Sequence, residues 1–396
     1  MNEQTLKNLD TFLQGRVDSG EIPGCALAII HEGEEVYRKE FGMADIEKNL
    51  PMQKDTIFRC YSMTKPITSI AVMTLVEKGL ITLADPVSKY LPGFKDQKVL
   101  QEDGSLVPVK NEITLQHLMD MTAGVGYPDP SYPAGERLLK FIDKYYKGVY
   151  DKDNDISTVE FANLLGKEPL ESEPGTRWRY GLCADVLGAV ISVVTGKTYG
   201  EYLKEAIFEP LGMVDTDFYV HEDKLDRFAQ SYIYETPDPK PWSSDHMLGL
   251  THNFVKKPMF ESGGAGLTST VDDYEKIVKL FLNNGTLDGK RIYSVKTAES
   301  FLVDHLTDEN RASYDWEALK GYGYGNLMRH MLKPHENGSL GSEEEFGWDG
   351  FLGTYMFVDQ LEDLGIVYVI QKFGGNGYRD VQVIRNLVYS ALEDDI

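Results

Sequence analysis

Cysteine is scarce in this chain, and so is positive charge. Only three of the 396 residues are cysteines, Cys25, Cys60 and Cys183, too few and too scattered to build a disulfide framework. We expect all three as reduced core thiols. Lys and Arg number 40 against 63 Asp and Glu, a net charge of −23. That balance argues against nucleic acid and anionic membrane surfaces as partners, because both need clustered cations. No apolar run approaches the roughly 20 residues that cross a bilayer. The start, Met1-Asn2-Glu3-Gln4-Thr5, lacks a basic region followed by an apolar one, so a cytoplasmic location is expected.

Several chemical signatures are also missing. The eight histidines form no H-E-x-x-H, and there is no C-x-x-C. The run Asp151-Lys152-Asp153-Asn154-Asp155 starts like a calcium loop, but Ile156 stands where its glycine belongs and Ala162 at the closing glutamate. Without G-x-S-x-G, a Ser-His-Asp triad of the α/β-hydrolase kind has no anchor. Neither G-x-x-x-x-G-K nor a strand-borne G-x-G-x-x-G fits the glycine clusters. No metal and no cofactor are therefore expected.

What is present is the composition of an ordinary folded protein, 42% hydrophobic and 26% charged, in a chain long enough for two lobes. Residues 4–18 pattern as an amphipathic helix. Gly24–His31 and Glu35–Phe41 flank a Glu-Gly-Glu turn and predict a hairpin. From about 82 to 255 strand signals thin out, and helices are predicted over Ile113–Met121, capped by Thr114, and Asp185–Thr195, stopped by Gly196. The loop Tyr127–Pro133 is too rich in proline for regular structure. A helix over 270–282 opens with a capping box from Thr270 to Asp273. Strands are expected at Gly321–Met328, Gly353–Val358 and Gly365–Gln371, then a closing helix at Arg379–Leu392. The pattern predicts an α+β fold: one antiparallel sheet built from both chain ends and flanked by helices, with a mainly helical lobe inserted. The lobes would comprise 1–81 plus 256–396, and 82–255, with the active site between them.

The most informative feature is the only S-x-x-K of the chain, Ser62-Met63-Thr64-Lys65, directly before an apolar stretch, Ile67 to Leu80, that reads as a buried helix ending near Gly79. Residues three apart share a helix face, so the hydroxyl and the amine would point into one space. A serine hydroxyl needs a base to become nucleophilic, and a lysine becomes a base when burial lowers its pKa. The helix N-terminus adds partial positive charge where an oxyanion would form.

Three other segments gain meaning beside it. Pro174-Gly175-Thr176-Arg177-Trp178-Arg179-Tyr180 precedes a helix, and Tyr180 near Lys65 would be drawn toward its phenolate. Glu261–Thr270 carries Gly263, Gly264 and Gly266, which let backbone approach a ligand or another strand. Phe346–Tyr355 puts Gly-flanked aromatics on what reads as an edge strand, consistent with a main-chain N–H facing a substrate carbonyl.

Together, S-x-x-K near residue 60, G-x-x-W-x-Y, G-G-A-G-L-x-S-T and W-x-G resemble the serine β-lactamase and penicillin-binding-protein superfamily. The match is closest to the β-lactamase-like carboxylesterases, often called family VIII esterases. Ser62–Thr68, Leu80–Pro92 and Asn284–Lys290 extend the resemblance, which runs from about residue 10 to 390. It implies the β-lactamase/D,D-peptidase fold, with Ser62 acylated, Lys65 as proton acceptor or the charge that tunes its partner, and Tyr180 completing the relay. Trp348, Gly350 and Phe351 would contact the substrate, and the main-chain N–H groups of Ser62 and Phe351 would form the oxyanion hole. The resemblance leaves open whether lysine or tyrosine is the base.

Two departures narrow the substrate. Penicillin-recognising relatives usually carry an asparagine two residues after the motif tyrosine, where this chain has Leu182. Their third motif usually opens with lysine, where this chain reads Trp348-Asp349-Gly350. Both favour neutral esters over β-lactams. The expected partner is thus a small ester, hydrolysed or passed to another acceptor, with a D,D-peptidase or β-lactamase as the alternative enzyme and an idle binding or assembly protein as the alternative class. Tyr61, Tyr127, Tyr132, Trp178, Trp348 and Phe351 are candidates to line an apolar acyl pocket.

Overall fold

The computed structural model describes residues 1–146, 156–235, 238–243 and 253–392. The acidic run at 151–155 lies outside them. Eight strands form one antiparallel sheet. They are β1 (Gly24–His31), β2 (Glu34–Asp45), β3 (Leu50–Pro51), β4 (Tyr322–Gly325), β5 (Met328–Met331), β6 (Phe346–Asp349), β7 (Tyr355–Asp359) and β8 (Leu364–Ile370), in the order β4-β5-β6-β7-β8-β1-β2-β3. The two chain ends meet in its centre, where β1 pairs with β8 from Cys25↔Ile370 to His31↔Leu364.

Alternation along the strands divides the core between two faces. Leu27, Ile29, Phe357, Ile366 and Tyr368 pack under α1 (Glu3–Asp18) and α8 (Tyr378–Tyr389), which contribute Leu9, Leu13, Ile384 and Val388. Ala26, Ala28, Ile30, Met356 and Val367 face the other way, into the cluster that holds α2 (Thr64–Glu77) and α7 (Val271–Leu282). The small Ala26 and Ala28 let helices approach on that side, and α2 is buried from Thr64 to Leu75.

The middle of the chain supplies α3 (Leu115–Met119), α4 (Pro133–Tyr146), α5 (Thr158–Leu165) and α6 (Cys183–Thr195). α3 is capped by Thr114 and α6 stops at Gly196, φ +69°, as the sequence predicts. Four expectations need correction. The strand expected at 321–328 is a hairpin, β4–β5, because Asn326 and Leu327 both adopt left-handed backbone (φ +51° and +63°). The capping box of α7 is half made: Thr270 accepts from Asp273 N–H, but the Asp273 carboxylate is taken by Asp215 N–H and Thr216. α2 begins at Thr64 rather than Ile67, so it includes Lys65. β6 is an interior strand, although β5 pairs with it only at Gly347 and Phe346, which leaves Trp348 onward open on that side.

All three cysteines are buried and free. No helix among the described residues is long and apolar enough to cross a membrane.

Candidate active site

Ser62 sits in a single 3₁₀ turn, Tyr61–Met63, that leads into α2. Tyr61, just before it, has φ +46°, a region that costs a bulky residue energy unless its surroundings impose it. The surroundings do. Cys60 N–H donates to Leu267 O (2.9 Å), Thr64 Oγ1 accepts from Leu267 N–H (3.1 Å), and the Tyr274 hydroxyl donates to Met63 O (2.6 Å). Thr354 Oγ1 adds a bond to Cys60 O (3.2 Å). The turn is pinned from three directions.

Lys65 is fully buried. Its Nζ donates to Ser62 Oγ (3.0 Å), Gly264 O (2.8 Å) and the Tyr127 hydroxyl (3.3 Å), and lies 4.6 Å from the centre of the Tyr180 ring. Burial draws its pKa down to about 7, against the opposing pull of the Asp185, Cys183 and Asp349 charges. Tyr180 accepts a hydrogen bond from Trp348 Nε1 (2.9 Å). Burial raises the pKa of Tyr180 and of Tyr127, and the neighbouring Ser62 hydroxyl pulls both partly back. Both phenols are therefore held as acids at neutral pH.

Asp185 is the buried charge behind this pair. Its Oδ1 accepts from Ser262 Oγ (2.5 Å) and Gly264 N–H (3.2 Å), whereas Oδ2 has no hydrogen-bond partner among the described residues. A Cβ placed on Gly264 would stand 2.8 Å from Asp185 Oδ2 and 3.4 Å from Lys65 Nζ, so carboxylate and amine flank the same glycine. Burial raises the Asp185 pKa. The glycine cluster thus approaches α6 rather than a ligand: a Cβ on Gly263 would meet Ala184 O at 2.2 Å.

The structure brings Ser62, Lys65, Tyr180 and Trp348 into one constellation. Gly350 and Phe351 lie on the adjoining turn, and Phe351 packs on Tyr61 at 5.8 Å between ring centres. Neither Ser62 N–H nor Phe351 N–H donates within the hydrogen-bond network of the described residues. Gly350 is a glycine of necessity, since a Cβ there would meet Cys60 O at 2.3 Å and Thr354 Oγ1 at 2.0 Å. Asp349 turns to Arg329 (2.5 Å), and Leu182 is fully buried at the N-cap of α6. Of the expected aromatic lining, Tyr132 and Trp178 share a cleft of about 110 Å³ with Tyr180 and Trp316. Tyr61 and Phe351 form a separate patch with Phe254, Trp242 and Phe373.

Sequence reasoning gave Tyr127 only a place in the aromatic lining, not beside Lys65, and passed over Asp185. Tyr127 sits in a proline-rich loop with no periodicity to mark it. Asp185 carried a readable signal, a lone carboxylate at the head of an apolar helix, since a fully buried acid requires a partner.

A large antiparallel sheet made from both chain ends, with helices on its faces, is the fold of β-lactamases and penicillin-binding proteins. The chain belongs to the Beta-lactamase family, whose model matches residues 9–389. It is 31% identical over 364 residues to protein Rv1367c of Mycobacterium tuberculosis, covering 89% of this chain and 87% of that one. Esterase EstB of Burkholderia gladioli is 29% identical over 380 residues, covering 91% and 88%. Among solved structures, EstCE1, described as a hydrolase with promiscuous acyltransferase activity, superposes with a TM-score of 0.82 at 26% identity, covering 98% of this chain and 99% of its own.

Proposed function

We propose that the protein is a serine hydrolase that forms an acyl-enzyme on Ser62 and acts on small esters. Transfer of the acyl group to an alcohol or amine shares the same first half-reaction. The observation that carries this reading is a fully buried lysine amine, its pKa near 7, at 3.0 Å from the Ser62 hydroxyl. An amine so depressed is in part uncharged at neutral pH and able to accept a proton.

Ser62 Oγ attacks the ester carbonyl while its proton passes to Lys65 Nζ. The oxyanion is met by the main-chain N–H groups of Ser62 and Phe351. Collapse breaks the C–O bond, and the departing alkoxide takes the proton of Tyr180. Trp348 Nε1–H already donates into the phenol oxygen, so Tyr180 keeps its own proton free to give. The ammonium of Lys65 then reprotonates Tyr180. In the second half, water attacks the acyl-serine as its proton passes to Lys65; the bond to Ser62 Oγ then breaks, Oγ takes that proton back, and the acid leaves. The raised tyrosine pKa supports Lys65 as the base and Tyr180 as the acid in this reading.

Neutral esters suit the site because Leu182 offers no amide and Asp349 faces Arg329. The segments 1–81 plus 256–396 and 82–255 serve in this reading as the two lobes about the cleft. The test is rapid-quench intact-protein mass spectrometry with a p-nitrophenyl ester. An acyl mass increment mapped to Ser62 and absent from Ser62→Ala is expected; nitrophenol release that survives in Ser62→Ala would sink the mechanism. Acylation by a penicillin at low concentration would favour the D,D-peptidase or β-lactamase alternative.

A further inference from the structure

A cavity of about 170 Å³ opens on the α1/α8 side of the sheet, between the start of α8 and the strand ends that carry Arg329, Tyr355 and Ile370. Arg329 is its distinctive group. The residue is only 5% exposed, and its single side-chain hydrogen bond among the described residues runs from Nη1 to Asp349 Oδ1. A guanidinium has five N–H donors in a fixed fork, and burying it with one partner leaves most of that capacity unused. The plane is held by aromatic rings, with Tyr322, Trp348 and Tyr355 centred 5.4, 5.3 and 5.1 Å from the guanidinium carbon.

The facing wall adds donors. α8 starts at Tyr378 after Gly377, which provides no side-chain cap, and its first turn borders the cavity, with Asp380 N–H already bonded to Gly377 O (3.3 Å). Gly374, Gly375 and Gly377 all have positive φ (+72°, +71° and +87°) and leave this wall without side chains, although Gly375 N–H already donates to Lys372 O (2.9 Å). The nearby acids are engaged elsewhere: Asp380 pairs with Arg16 (2.9 Å) and Asn376, and Glu345 with Arg385 and Tyr389. Asp349 alone competes for Arg329, from a side chain that is half exposed.

We propose that this cavity binds a small carboxylate, which docks on the Arg329 fork and the start of α8 and competes with Asp349. The site is separate from the Ser62 chemistry, yet Gly350, Gly353 and Thr354 form part of its wall and belong to the turn that bears Phe351. A short-chain acid, the chemical class that ester hydrolysis releases, fits the donors and the volume. The binding claim itself does not depend on the proposed reaction.

The experiment is calorimetric titration of full-length Ser62→Ala protein with acetate, with acetamide as the uncharged control. Saturable acetate binding without acetamide binding is expected. Arg329→Gln should weaken it by at least about tenfold, the scale of a lost charged hydrogen bond. Asp349→Asn should tighten it several-fold by removing the internal competitor. If Arg329→Gln fails to fold, Asp349→Asn decides alone, because its side chain is half exposed. Acetamide binding equal to acetate, or acetate affinity unchanged or weakened in Asp349→Asn, would overturn the proposal.

Discussion

Lys65 is stabilised as an amine and penalised as an ammonium, and that asymmetry governs two measurable pH dependences. The unfolded side chain titrates near 10.4, whereas the folded one titrates at about 7. Between those values the unfolded state binds more protons, so stability rises with pH, by about 1.4 kcal/mol per unit from this group. Below pH 7 the full cost of the buried charge is paid. Lys65→Met should therefore stabilise the fold most below pH 7, and its advantage should shrink steadily toward pH 10. Denaturant unfolding of both proteins across that range checks it; a constant difference would mean the amine is not depressed. For catalysis, kcat/KM should rise through pH 7 as Lys65 loses its proton. Asp185 pulls the lysine the other way. In Asp185→Asn the rising limb should move to lower pH, while the amide can still accept from Ser262 and Gly264. A uniformly lower rate with an unmoved limb would make Asp185 a structural brace only.

At the scale of elements, the site depends on a junction between the turn that follows β6 and the turn that precedes α2. Thr354 and Cys60 join them, and Gly350 lies where no side chain fits. Gly350→Ala would force the two backbones apart. We expect a loss of roughly 1–3 kcal/mol, the usual cost of overpacking, together with a fall in kcat larger than any change in KM. Thermal unfolding and steady-state kinetics on one preparation test this. Near-normal values of both would show that the junction yields. The same scale explains what was legible beforehand. Ser62 and Lys65 could be read because their relation is local, three residues along one helical face. The β1–β2 hairpin could be read because Gly33 marks its turn. The β4–β5 hairpin could not, because its turn seats Leu327 in left-handed backbone, where no residue preference points to leucine.

For the whole molecule, the expected sheet from both chain ends was readable from the order of strand and helix patterns, while its register was not. Tyr180 entered the site through resemblance across the chain rather than through local pattern, since 115 residues separate it from Lys65. Tyr127 and Asp185 reach the lysine only through tertiary packing of a loop and of α6, which no one-dimensional period encodes. Of the many acids in a chain of net charge −23, Asp185 and Asp349 reach the centre, where their charges oppose the burial that depresses Lys65.

The pairing of β1 with β8 has a consequence for the making of the protein. His31 lies opposite Leu364 in the middle of the sheet. On a ribosome adding roughly 5–20 residues per second, the first strand waits tens of seconds for its neighbour. Through that interval it has only β2 beside it, and its apolar edge is open to other nascent chains and to chaperones. Ser62 is made long before its support is complete, because the sheet closes only once Leu364 to Ile370 have been added.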